Sequence, residues 1–206
     1  ALGNVILSSA NVIIAFSLLA YILTHNFRSL VARGFLALLA FVTVIFVVDV
    51  IIANVVTERA ALLWLRAQWL GIALVPAAYL HFSDAVLRTT RDESRIRRVA
   101  IPITYGISLA FFALAAFTDR VVQGGGYREG IARLDPGPFF WTYLLYFAIT
   151  TIWGLRNMQL ARRRCLTSTS RRRMAYLGLA SVAPAAGIVP HLLTTMVPAW
   201  VSANWI

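Results

Sequence analysis

Gly34-Phe-Leu-Ala-Leu-Leu-Ala-Phe-Val-Thr-Val-Ile-Phe-Val-Val-Asp49-Val-Ile-Ile-Ala-Asn54-Val-Val56 is a run of 23 residues with a single charge. A helix needs about 20 predominantly apolar residues to cross the hydrocarbon of a bilayer, so this stretch decides the class of fold. Working outward from it, five more stretches of comparable character lie at 4–25, 61–87, 99–118, 139–160 and 174–197. The chain therefore reads as an all-α, polytopic membrane helix bundle, one transmembrane domain over 1–206 with six spans visible. Pro198-Ala-Trp-Val-Ser-Ala-Asn-Trp-Ile206 reads as the start of a seventh. The first span carries Asn4 and Asn11 and has no basic segment ahead of it, as expected of a true span rather than a cleaved leader.

Composition excludes a soluble alternative. With 60% hydrophobic residues, 13% charged and a mean hydropathy of +0.75, too little polar surface remains to cover a water-soluble globule. The charges that exist are unevenly placed. The first connection, 26–33, holds Arg28 and Arg33; the third, 88–98, holds five arginines; the fifth, 161–173, holds six in two triplets. The second, 57–60, is nearly neutral, and the fourth, 119–138, sets Arg120, Arg128 and Arg133 against Asp119, Glu129 and Asp135. The positive-inside rule puts the odd-numbered connections in the cytoplasm and the N-terminus outside. A formal net charge of +11 then points to anionic lipid headgroups and not to nucleic acid, because the arginines flank spans on one side. No residue is lysine, so none can carry a retinal Schiff base. Cys165 is the single cysteine, which rules out an intrachain disulfide and leaves palmitoylation, a cation-activated thiol or an inert juxtamembrane position open.

The longest connection, 119–138, contains Gly124-Gly125-Gly126 and Asp135-Pro136-Gly137-Pro138, turn formers that predict an irregular extracytoplasmic loop rather than a helix or strand. The glycine triplet lacks the spacing and context of a phosphate-binding loop. Polar residues inside spans are the better clues, since a charge in lipid costs several kcal/mol unless paired or hydrated. Asp49 and Arg66 fall at about the same depth on adjacent antiparallel spans, counting from 57–60 at about 1.5 Å per residue, so an intramembrane ion pair is expected. It reads as a clamp between two helices, with a ligand or proton site as the sharper alternative. His81, Asp84 and Arg88 lie at i, i+3 and i+7 on one helix face near the cytoplasmic boundary. That face reads as a signal-coupling latch or as a hydrogen-bonded seam. Pro184, Gly187 and Pro190, just before His191, predict a kinked sixth span, static or gating.

Catalytic, cofactor and metal sites are not expected. Histidines 25, 81 and 191 show no ligand spacing for a metal or haem. The neighbours His81-Phe82-Ser83-Asp84 share one helix and cannot converge as a catalytic triad does.

Trp64-Leu-Arg66-Ala-Gln68-Trp69-Leu-Gly71-Ile-Ala-Leu-Val-Pro76-Ala-Ala-Tyr79-Leu-His81-Phe82-Ser83-Asp84 is followed by Gly137-Pro138 opening the fifth span and by Arg171-Arg172-Arg173-Met-Ala-Tyr176-Leu-Gly178 opening the sixth. This combination resembles the N-terminal seven-helix sensor region of bacterial histidine kinases over nearly the whole chain. The resemblance implies a membrane-embedded sensory, signal-transducing region of a two-component receptor, with the N-terminus outside. It also implies homodimerisation and a seventh helix leading to cytoplasmic modules. Neither a phosphoacceptor helix nor an ATP-binding domain is present in these residues, so the region itself reads as non-enzymatic and any kinase domain lies outside it. A non-catalytic subunit of a larger pigment or redox complex is the alternative, and a small transporter the third.

The arginine asymmetry makes Cys165 cytoplasmic. A membrane-impermeant thiol reagent should label it in inverted vesicles and spare it in intact cells; equal rates in the two preparations would reverse the orientation.

Overall fold

The structure, a computed structural model, describes residues 2–25, 27–90, 94–128, 131–165 and 172. Five helices appear in chain order: α1 (Leu2–His25), α2 (Leu30–Ile52), α3 (Glu58–Arg88), α4 (Arg95–Phe117) and α5 (Phe140–Arg164). Between α4 and α5 lie two strands, β1 (Val122–Arg128) and β2 (Ile131–Pro136). Among the described residues, α2, α3 and α4 are long and apolar enough to cross a membrane, while α1 contributes a shorter apolar stretch, Ser9–His25. α5 has the length, but Thr142, Tyr143, Thr150, Thr151, Arg156 and Asn157 dilute its apolar character. Of the six expected spans, three therefore meet both requirements here. The sixth, with the kink residues Pro184, Gly187 and Pro190, and the start of a seventh lie outside the described residues.

The helices start and stop differently from the apolar runs. α2 begins four residues before Gly34 and takes Arg33 into its first turn, while α4 takes in Arg95, Arg97 and Arg98 and α5 ends on Arg162, Arg163 and Arg164. Long arginine stems lie along apolar surface while the guanidinium reaches the headgroup layer, so a helix continues past its apolar core. At its other end α2 stops at Ile52, short of the expected Val56. The Asn54 side chain donates to the Val50 carbonyl at 2.7 Å and its backbone amide to Ile51 O at 3.0 Å, satisfying carbonyls that a longer helix would have used. α2 is rich in Val and Ile, which favour strands in water. Hydrocarbon offers the backbone no other partner, so every amide and carbonyl must bond within the segment.

α3 is the central element. Its 31 residues span about 46 Å, and it packs against α2, α4, α5 and β2, whereas α1 packs on α2. From Gln68 to Leu87 almost every residue of α3 is buried. The other helices turn apolar side chains outward, Ile103 and Ile107 on α4 and Leu145, Ile149 and Ile152 on α5, as helices solvated by acyl chains do. Close approach of α2 to α3 is set by two glycines. A Cβ on Gly34 would sit 2.9 Å from Phe82 Cα, and one on Gly71 would sit 2.5 Å from Ile45 Cγ1 and 2.6 Å from the Phe41 carbonyl oxygen. Apolar contact gains little between helices already bathed in hydrocarbon, so small residues that let backbones meet carry the packing.

The fold is all-α as expected, but the irregular loop expected at 119–138 is corrected by β1 and β2. They form an antiparallel pair with Val122 opposite Pro136, Gly124 opposite Leu134 and Arg128 opposite Ile131, the register shifting between Gly124 and Tyr127. Glycines and Asp-Pro argue against strands by composition. Tertiary anchorage overrides that preference: Val121, Val122 and Leu134 are buried, and the Gly137 amide donates to Val121 O at 2.9 Å. At Gly137 any side chain would strike the backbone, its Cβ lying 2.5 Å from Arg120 O.

Gly71→Ala should therefore push α2 from α3 and lower stability by about 1–3 kcal/mol. Gly106→Ala on α4, whose Cβ would meet nothing within 4 Å, should be close to neutral. Thermal unfolding of the two variants in one detergent makes the comparison; equal losses would mean the α2–α3 contact is not tight.

Candidate functional site

Polar side chains are scarce in these helices, and those that α3 carries are distributed by depth, each aimed at a different neighbour. Near the Glu58 end, Arg66 forms an ion pair with Asp119, in the segment between α4 and β1. This is a correction to the expected pair of Asp49 with Arg66. Asp49 instead accepts a hydrogen bond from Gln68 Nε2 at 2.6 Å, and the same amide lies 3.2 Å from the Ile45 carbonyl. Positions 66 and 68 lie within one turn of α3, but at about 100° per residue they point to opposite sides of a helix. The rotation that buries Gln68 against α2 turns Arg66 away from it. Asp119 remains 68% exposed, so its pair with Arg66 sits in a wet layer where such pairs contribute roughly 0–1 kcal/mol. Beside it, Glu58, Arg59, Leu62, Leu63 and Arg66 line an open groove of about 490 Å³ along the end of α3.

Halfway along, the Tyr143 hydroxyl of α5 donates to the Ile72 carbonyl of α3 at 2.7 Å. Trp69 meets the Tyr143 ring edge-on with centroids 5.1 Å apart, and Phe111 of α4 does the same at 5.4 Å. Such aromatic pairs add about 0.5–1.5 kcal/mol beyond their burial. About two to three turns further along α3, Gly154 of α5 admits the Tyr79 ring, which a Cβ would approach to 2.5 Å, and Asn157 Nδ2 donates to Ser83 Oγ at 3.2 Å. Between α4 and α5, the Tyr146 hydroxyl donates to Thr104 O at 2.9 Å and shares a 2.8 Å hydrogen bond with Ser108 Oγ.

The basic end of α3 gathers the expected trio and adds to it. Asp84 is 2% exposed and faces two guanidinium groups. Arg97 Nε of α4 donates to Oδ1 at 2.9 Å. Arg88 Nε lies 2.7 Å from Oδ2 without hydrogen-bond alignment, an attraction of charge alone. His81 does not join this carboxylate: its Nδ1 shares a 3.3 Å hydrogen bond with the Tyr105 hydroxyl, the rings meeting at 84°. Of the expected trio, Asp84 and Arg88 are in contact and His81 turns to α4. Sequence reasoning missed Arg97, Tyr105 and Asn157. Arg97 was legible in principle, since a short connection after Arg88 folds α4 back antiparallel and brings an arginine 13 residues on beside Asp84. Tyr105 and Asn157 follow from helix rotations that no local signal fixes. Among the described residues no group of three or more His, Cys, Asp or Glu could hold a metal ion.

A membrane helix bundle whose buried polar residues link a central helix to its neighbours at successive depths is the architecture of a polytopic membrane domain built to hold its helices in a defined register. Residues 7–202 match a family model described as the N-terminal 7TM region of histidine kinase, and the chain belongs to that family. It is thus a membrane-embedded N-terminal region of a sensor histidine kinase, as the landmarks from Trp64 to Asp84 and at Gly137-Pro138 imply. No curated protein and no solved structure matches the chain.

Since Gln68 and not Arg66 meets Asp49, a double-mutant cycle on Asp49→Ala and Gln68→Ala should show coupling of about 1 kcal/mol. The cycle with Arg66→Ala should be nearly additive. Stability in detergent decides between them, and stronger coupling to Arg66 would favour an Asp49–Arg66 pair.

Proposed function

We propose that these residues receive a stimulus and pass it, as a change in helix packing, to cytoplasmic modules of a two-component receptor. The region sits in the bacterial cytoplasmic membrane with its N-terminus outside, crosses it as the six visible spans plus the beginning of a seventh, and acts as a homodimer in contact with anionic headgroups. On that orientation the β1–β2 hairpin and the groove at Glu58–Arg66 face outward, and Asp84 with its arginines faces the cytoplasm. The arginine asymmetry and the membership of the family support this arrangement.

One observation carries the reading. Asp84 is a single buried carboxylate shared by Arg97 of α4, through an aligned hydrogen bond, and by Arg88 of its own helix, through charge alone. On this reading a small shift of α4 against α3 strengthens one of the two contacts at the expense of the other. Packed interfaces convert sub-ångström displacements into such discrete changes. His81, bonded to Tyr105 beside it, ties the same two helices together.

In the full-length receptor, Asp84→Asn and His81→Ala should change basal output per folded molecule by roughly fivefold, the factor that about 1 kcal/mol of bias supplies. Output is read as phosphate incorporated, and folded receptor as the monodisperse fraction in detergent. Output that falls only in proportion to folded protein would make this face a structural seam and sink the signalling role.

A further inference from the structure

Pro76 stands in the middle of α3, where it has no amide hydrogen to give to the carbonyl four residues back. That carbonyl belongs to Ile72. In water a freed carbonyl is hydrated at little cost, but inside a membrane bundle it must find another donor or forfeit several kcal/mol. The donor is present. Tyr143 reaches across from α5, fully buried, and its hydroxyl lies 2.7 Å from Ile72 O. Trp69 and Phe111 hold the ring edge-on from two other directions, so the hydroxyl is aimed and cannot swing elsewhere.

The place of this bond matters as much as its existence. Toward Glu58 from Pro76, the polar contacts of α3 run to α2 and to the segment before the hairpin: Gln68 to Asp49 and Arg66 to Asp119. Toward Arg88, they run to α4 and α5: His81 to Tyr105, Ser83 to Asn157 and Asp84 to Arg97. A proline lacking its backbone bond is where a helix can bend, and here it separates two halves whose polar side chains address different partners.

We infer that Pro76 is a hinge in α3 and that the Tyr143 hydroxyl is the lock that sets its resting angle, by standing in for the missing amide at the Ile72 carbonyl. This rests on the signal-transducing reading only for its consequence, that bending moves Asp84 against Arg97; the bond and its dependence on proline stand apart from it. Tyr143 is on this account a positioning residue.

The test is a double-mutant cycle with two readouts on the full-length protein. Tyr143→Phe removes the donor and keeps the ring; Pro76→Ala restores a backbone amide at position 76. Tyr143→Phe should lower the midpoint of thermal unfolding by about 2–4 °C in the Pro76 background and have almost no effect beside Pro76→Ala. Equal losses in both backgrounds would overturn the lock, since Tyr143 would then matter only for packing. For output per folded molecule, Tyr143→Phe and Pro76→Ala should shift the basal level in opposite directions, one freeing the joint and the other stiffening it. Output unmoved by either, while His81→Ala still alters it, overturns the hinge and leaves the sensory reading intact. Output unmoved by all of these variants overturns the sensory reading as well, while the thermal cycle still decides the bond.

Discussion

A bilayer leaves a polypeptide no water with which to satisfy a buried amide, carbonyl or charge, so polar atoms in the enclosed part of α3 must be met by the protein itself. The other features of this bundle follow from how that demand is answered. α3 is enclosed by α2, α4, α5 and the hairpin, so its polar groups are shielded from lipid and can serve as specific joints between helices. Gln68 addresses α2, the Ile72 carbonyl and Ser83 address α5, and His81 and Asp84 address α4. Apolar contact alone would hold the helices together in many rotations; these few bonds select one.

The same constraint explains where small residues sit. Gly34, Gly71 and Gly154 lie where α2 and α5 come nearest to α3, and in each case a single methyl group would collide with a neighbour. Close approach brings polar side chains within reach of partners that would otherwise be several ångströms away. Asn157, for example, reaches Ser83 on the turn after Gly154 lets the Tyr79 ring through. Packing and polar pairing therefore depend on each other, and a steric change at a glycine is felt at hydrogen bonds one turn distant.

At the two ends of α3 the balance differs. The Arg66–Asp119 pair is solvated on its Asp119 side, and the hairpin beside it is anchored by Val121, Val122 and Leu134. Asp84 at the other end is enclosed and shared by two arginines. Removing one partner of a buried pair leaves an uncompensated charge, a far larger penalty than at the exposed end. The two ends of α3 thus differ in how tightly their charges are enclosed.

What the sequence determined by itself was the set of properties that depend on composition along the chain. Membrane class, the approximate positions of the five described helices, the alternation of arginine-rich connections and the family were legible, because span length and charge placement are one-dimensional quantities. The landmarks from Trp64 to Asp84, and the depth shared by Asp49 and the Arg66–Gln68 turn, belong with these. Helix rotation was decided only in three dimensions. Whether residue 66 or 68 faces α2, or which arginine reaches Asp84 from across the connection, depends on how four helices pack at once. The strands at Val122–Arg128 and Ile131–Pro136 were decided in the same way: their glycines and Asp-Pro disfavour pairing locally, and the apolar anchors that hold them are buried only once the helices are in place.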